Sequence, residues 1–326
     1  MVNQSAPRCR SGDQTADTGL SAGAQWLTFP TPRQTMPNRF TLRIGPVCVA
    51  LHGEMDPGRW VLDAGHPTFF APVADPHLTL QMVWGSTGRR SAPPVFRAGG
   101  VASFYRDDGR WAIHVGEDAT TGRADRALRL DASGTTGCLV MDPERVPDPP
   151  SRYPLEYPLE DLLFRHLLAE HDALLVHACG VCWRGAGVLF VGSSGAGKST
   201  AARLWRAAGA TILNDDRVVL EAGREGPRMH STPWFGEHPE VGGDAAPVRA
   251  LYLLRQGTDV AFEPLRPATA TALVFAKSFP ALWDAERMGT TLDTLGRICR
   301  EVPCGWLTVP ADGRAVDWVQ AQLGTG

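Results

Sequence analysis

The chain has 326 residues, 43% of them hydrophobic and 21% charged, with a formal net charge of −3. That length accommodates two domains, and the composition is that of an ordinary globular protein. No basic footprint for nucleic acid is present, and no run approaches the about 18 apolar residues that cross a bilayer, so neither nucleic acid nor a membrane is expected as a partner.

Residues 1–38 are rich in Ser, Gln, Thr, Gly and Pro without an apolar period, which predicts a disordered leader with no secretory apolar core. The seven cysteines are odd in number and scattered, and fit reduced thiols in a cytoplasm. Residues 39–145 then run as short alternating or β-branched segments: 40–51, 77–84, 103–106, 111–115, 127–130 and 138–141. Turn signals such as Asp107-Asp108-Gly109 separate them, predicting a β-rich N-terminal domain, mostly antiparallel and without a catalytic constellation. Its expected work is packing, pairing or substrate recognition.

Pro147, Pro149 and Pro150 mark 146–153 as a linker, and from 154 to 326 the pattern is α/β. Leucines at helical spacing predict a helix over 155–169, followed by strands over 174–183 and 187–191. A helix over 199–208, a strand over 210–213, a hairpin through 218–221 and a strand over 248–254 come next. Helices over 268–278 and 282–301, a strand over 305–309 and a terminal helix from 315 complete the order. Cys179 and Cys182 form a C-x-x-C with His177 just ahead, the spacing of a redox pair or half a zinc site. On a strand, however, residues three apart point to opposite faces, and no second ligand pair follows, so they read as two small hydrophobes.

The chemistry lies in Gly192-Ser193-Ser194-Gly195-Ala196-Gly197-Lys198-Ser199, which matches G-x-x-x-x-G-K-[ST] at every fixed position, with Thr200 next. A strand leads in and a helix leads out, so glycines can turn the backbone and aim its N–H groups at an anion. Lys198 supplies a compact positive charge for the β- and γ-phosphates, and Ser199 a hydroxyl for Mg²⁺. On the helix expected over 199–208, Leu204 and Ala208 form one stripe and Ala201 and Trp205 its neighbour. Asp215 and Asp216 follow the next strand, where one carboxylate can order the metal and the other accept a hydroxyl proton. His177 stands in an otherwise apolar strand; by itself it reads as a hydrogen-bonded core histidine. Lysine occurs only at Lys198 and Lys277.

Taken in order, His177, the loop Gly192–Ser199 and the doublet Asp215-Asp216 before Arg217-Val218-Val219 resemble the kinase domain of HPr kinase/phosphorylase and its relatives. The resemblance implies an α/β P-loop kinase domain of HPr-kinase/carboxykinase-like type behind a β-rich N-terminal domain. It implies ATP and Mg²⁺ as cofactors and phosphorylation of a serine on a protein or peptide. Lys198 would then act in catalysis, one of Asp215 and Asp216 would be the base and the other a metal ligand, with His177 close by and Ser199 on the metal. A later glutamate, Glu237 or Glu240, would join the metal. The run Thr232–Glu240 departs from the family's later signature and the N-terminal half from its usual partner domain, so reverse phosphorylase activity and HPr as substrate are not expected. Divergent relatives of this kind resemble kinases of precursor peptides, the preferred substrate class. The alternatives are a P-loop kinase of a small metabolite and a nucleotide-binding regulatory module without useful turnover. Asn-Lys-x-Asp and Leu-Ser-Gly-Gly-Gln motifs are both absent.

Overall fold

A computed structural model describes residues 39–53, 66–70, 72–146, 153–237 and 245–324. The expected leader and most of the expected linker fall outside these residues. The fold is mixed α/β with two large sheets and few helices. The described residues divide into two compact units: those within 39–41, 49–53 and 72–160 form one, and those within 42–48, 66–70 and 161–324 the other. Among the described residues no helix is long and apolar enough to cross a membrane.

The first sheet holds β1 (Arg39–Ile44), β2 (Val47–Gly53), β3 (Leu78–Trp84), β4 (Phe96–Ala98), β5 (Ala102–Asp107), β6 (Arg110–Val115), β7 (Arg126–Leu130) and β8 (Thr136–Met141). Its order is β1-β2-β3-β8-β7-β6-β5-β4. The segment expected over 40–51 breaks into two strands at Gly45-Pro46, where Gly45 takes φ +59° and Pro46 has no N–H for a ladder. From β4 to β8 the sheet is an antiparallel meander, but β3 pairs in parallel with both β2 and β8. Alternation alone does not reveal strand direction, which depends on the long connections. Charges here are quenched locally. The Arg123 fork grips the fully buried Asp142 at 2.6 to 2.9 Å and reaches Glu144 at 2.7 Å.

The remaining elements are α1 (Leu159–Leu168), β9 (Ala173–Trp183), β10 (Ala186–Val191), α2 (Lys198–Ala207), β11 (Thr211–Asn214), β12 (Arg217–Gly223) and β13 (Gly226–His230). They continue with β14 (Ala245–Gln256), β15 (Ala261–Pro264), α3 (Pro267–Phe275), α4 (Ala285–Glu301), β16 (Cys304–Val309) and α5 (Arg314–Leu323). Local chemistry sets the helix starts. α1 opens directly after Pro158, α3 carries Pro267 at its first turn, and the Asp284 carboxylate caps α4 by accepting from the Glu286 and Arg287 amides. The second sheet runs β10-β9-β12-β13-β14-β16-β15, with β11 also on β9. Because β10 pairs with β14 as well, five strands close into a ring.

Alternating residues split between two cores. Leu189, Leu251, Val274, Leu295 and Ile298 meet on one face, under α3 and α4. Phe190, Tyr252, Trp205, Leu307 and Val319 meet on the other, under α2 and α5. Cys179 belongs to the second core while Cys182 packs against the first, and all the described cysteines are free thiols. The α2 stripes differ from expectation. Its buried face is Lys198, Ala202 and Trp205, whereas Ala208 is exposed, because the strand-to-helix turn rotates Lys198 inward.

Candidate active site

Strand β9 organises the site. It is buried from Ala173 to Val181 except at His177, which is half-buried. One edge of β9 carries β10 along 178–183, ending with Val191 opposite Ala178. The chain leaves that edge at Gly192, and residues 277–279 take over beside 175–177: the His177 amide donates to Lys277 O at 2.8 Å and the Phe279 amide to Leu175 O at 2.9 Å. On the opposite edge β11 pairs with Gly180–Cys182 and β12 with 173–177. Asp215 and Asp216 fall in the gap between them, where the Ala178 amide donates to Asp216 O at 3.1 Å. Both neighbours of β9 therefore change at the same level, and register alone brings the glycine-rich loop, His177, the acidic pair and Lys277 together.

Each loop glycine has a steric reason. A Cβ on Gly192 would lie 2.6 Å from the Ala196 Cβ, and Gly195 and Gly197 take φ of +79° and +108°. The Lys198 ammonium donates to Gly192 O at 2.9 Å and Ser193 O at 3.1 Å. Two of its three N–H donors thus fix its direction and one is left for a ligand. Burial pulls the Lys198 pKa below its ordinary value, against the opposing pull of Asp216, Cys179 and Asp215. Ser193 and Ser194 are exposed, and Ser199 and Thr200 half-buried. Lys277 donates to Ser193 Oγ at 2.8 Å, and Gln256 Nε2 to Gly195 O at 2.7 Å. Both of the chain's lysines consequently sit on the loop.

The two acids differ. Asp215 is 5% exposed, and its oxygens accept the Gly236 amide at 2.8 Å and the Glu237 amide at 2.9 Å. Asp216 has a side chain 30% exposed, and its Oδ1 accepts from His177 Nδ1 at 3.0 Å. That hydrogen bond, with Arg217, His177 and Lys198 adding charge, holds the Asp216 carboxyl below the usual carboxylate range in spite of burial. Nδ1 also faces Asp216 O at 3.1 Å, a second acceptor, so the proton lies on Nδ1. Asn214, 2% exposed, locks the turn: Nδ2 donates to Thr232 O, Thr232 Oγ1 and Trp234 O, while Oδ1 accepts from the Asp216 and Arg217 amides.

Residues 161–314 match the family model of ScmC, a SynChlorMet cassette protein. No curated protein matches the chain. The matched segment contains His177, the loop, Asp215, Asp216 and Lys277, and leaves out the first sheet.

Several site residues go beyond the sequence motifs. Lys277 had one signal, its rarity; Asn214 and Gln256 had none. Phe279 stacks edge-on to His177 at 6.1 Å, with the guanidinium groups of Arg165 and Arg217 over its ring at 4.9 and 5.1 Å. Arg165 pairs with the buried Asp161 at 2.5 Å, and Arg217 reaches both Asp161 at 3.8 Å and Asp216 at 3.7 Å. Glu237 meets Asp215 through its backbone amide, not its side chain, and is exposed. Glu240 lies outside the described residues. Among the described residues no three His, Cys, Asp or Glu side chains converge as a metal cage.

Proposed function

We propose that the chain is an ATP- and Mg²⁺-dependent phosphotransferase, a serine kinase of a protein or precursor peptide, built on a P-loop kinase domain of the HPr-kinase type. The observation that carries this is the meeting of a glycine-rich loop bearing two ammonium groups with the His177–Asp216 pair at one level of β9. The residues suit the ligands: the loop conformation needs glycine where phosphates would approach, and Lys198 keeps one donor for them. Mg²⁺ keeps several waters and takes only one or two protein ligands. Ser199 and Asp215 would suffice for that duty without a closed cage, and Glu237 is not needed.

Mg²⁺-ATP, when bound, supplies the phosphoryl group and neutralises part of its charge. Asp216 acts as the base: His177 occupies Oδ1, and Oδ2 accepts the proton of the acceptor hydroxyl. Its depressed pKa keeps it ionised at neutral pH. A weak base suffices for a loose phosphoryl transition state, in which positioning and electrostatics do most of the work. Lys198 and Lys277 stabilise the charge on the transferred group, and Asp215 holds segment 236–237 and orders the metal or its water. A cytoplasmic setting fits the free thiols.

Incubation of the full chain with labelled ATP, Mg²⁺ and serine peptides should yield phosphoserine. Label on a small molecule alone would favour a metabolite kinase. Tight ATP binding with no transfer to any acceptor would favour a regulatory module.

A further inference from the structure

Beside the phosphate loop lies a cavity of about 210 Å³. Gly197, Thr200 and Leu204 line one side, and Gln256, Val309 and Pro310 the other. Its position follows from sheet direction. Strands β10, β14 and β16 are parallel, and their ladders stop together: Val191 lies opposite Leu253, and Gln256 opposite Val309. The chain turns away from the sheet beyond each of these ends. The carboxyl ends of these three strands therefore face the cavity, through Phe190, Leu254, Gln256 and Val309. Helix α2 reaches the cavity wall with the half-buried Leu204 and the buried Trp205.

Three features define the occupant. Its walls are mainly apolar, with the rings of Phe190 and Trp205 among aliphatic side chains and the Gln256 amide and Thr200 hydroxyl as polar groups, which suits the faces of a planar ring. The volume falls below the about 300–1,000 Å³ of pockets for whole drug-sized ligands, so it takes part of a molecule. Gly197 belongs both to the cavity lining and to the phosphate loop, and Gln256 bridges the two by donating to Gly195 O. The occupant is therefore joined to the phosphates. We propose that this cavity is the nucleobase subsite, holding the ring of a nucleoside triphosphate between α2 and the ends of β14 and β16. The inference rests on the phosphotransferase reading and adds its base recognition. Apolar walls grip a ring whatever its edge carries, so ATP and GTP should bind within about tenfold of each other.

Calorimetric titration of the full chain with Mg²⁺-ATP and with Mg²⁺-tripolyphosphate, which has no base, tests the subsite. The wild type should bind ATP at least about tenfold more tightly than tripolyphosphate, a difference of about 1.4 kcal/mol. Ala311, exposed on the same wall, admits a bulky replacement. Ala311→Trp should abolish the preference for ATP while tripolyphosphate binding stays unchanged, and the latter reports an intact fold. Leu204→Gln, which alters the cavity from the helix side, should narrow the preference too. Equal affinity of the wild type for both ligands, or an ATP preference that survives in both variants, overturns the subsite while leaving the phosphate loop in force. Loss of tripolyphosphate binding in both variants also overturns it as a separable subsite. Binding of neither ligand by the wild type would bring down the phosphotransferase reading itself, and the subsite with it.

Discussion

Two histidines occupy nearly the same local sequence, Ala112-Ile113-His114-Val115 in β6 and Leu175-Val176-His177-Ala178 in β9, yet have opposite surroundings. His114 is fully buried, and neither ring nitrogen has a hydrogen-bond partner among the described residues. Burial, aided by Arg129 and Arg90 and opposed by Glu117, lowers its pKa to about 4. His177 is half-buried and pinned to Asp216. The difference lies in neighbours. β6 has β5 and β7 continuously along its edges past His114, whereas both neighbours of β9 change at His177. A strand histidine with unbroken ladders is core; one at the level where ladders end faces whatever the loops build.

The comparison can be broken first at its strongest point. Asp216→Asn should lower phosphoryl transfer by about 10²–10⁴-fold, the usual weight of a general base, with nucleotide affinity kept within about threefold. Wild-type transfer should also show no acid limb until the pH falls into or below the ordinary carboxylate range, since the carboxyl of Asp216 is held below it. An acid limb at clearly higher pH would mean that a group other than Asp216 is the base.

His114 offers a stability effect of the opposite kind. Its folded pKa of about 4 lies under the ordinary 6.5, so below pH 6.5 the unfolded chain binds more protons. The stability it contributes is complete above that value and is lost as the pH falls toward about 4, by about 3 kcal/mol at the lower end. Denaturant midpoints measured across this window should flatten in His114→Phe. An unchanged acid slope would mean that the ring is reached by water.

Smaller effects sharpen the contrast. Lys277→Ala should reduce kcat/KM by about 10- to 100-fold, as expected for one charge-assisted contact, and Lys277→Arg should recover part of it. Lys198→Ala should cost more, because it also disconnects the loop carbonyls. The smallest effect belongs to Cys182→Ser, which should leave transfer unchanged and shift stability by no more than about 0.5 kcal/mol. Loss of activity or of bound zinc in that variant would revive a metal or redox role for the C-x-x-C.

Strand and helix order from α1 to α5 was largely legible, since apolar periods act over one or two turns, but α1 starts after Pro158 and α4 after the Asp284 cap rather than at 155 and 282. β15, Ala261-Phe262-Glu263-Pro264, carries no strand signal of its own because it is short and mostly exposed, an edge strand defined by its pairing with β16. Gly45-Pro46 is a turn signal masked in sequence by the apolar run that continues on both sides of it. In the site, the loop and the acidic pair were readable as chemistry. The division of labour between Asp215 and Asp216 was not: adjacent, identical residues differ only in what approaches them, the 236–237 amides in one case and His177 in the other.

The sequence by itself determined the loop, because positive φ at Gly195 and Gly197 and the tight approach at Gly192 are demands that neighbouring residues impose on one another. Tertiary structure alone decided that Lys277, 84 positions from Ser193, would reach it, and that a cavity would open beside it. Both depend on strand register between distant segments. Register follows from the pairing of entire ladders, which no single residue encodes.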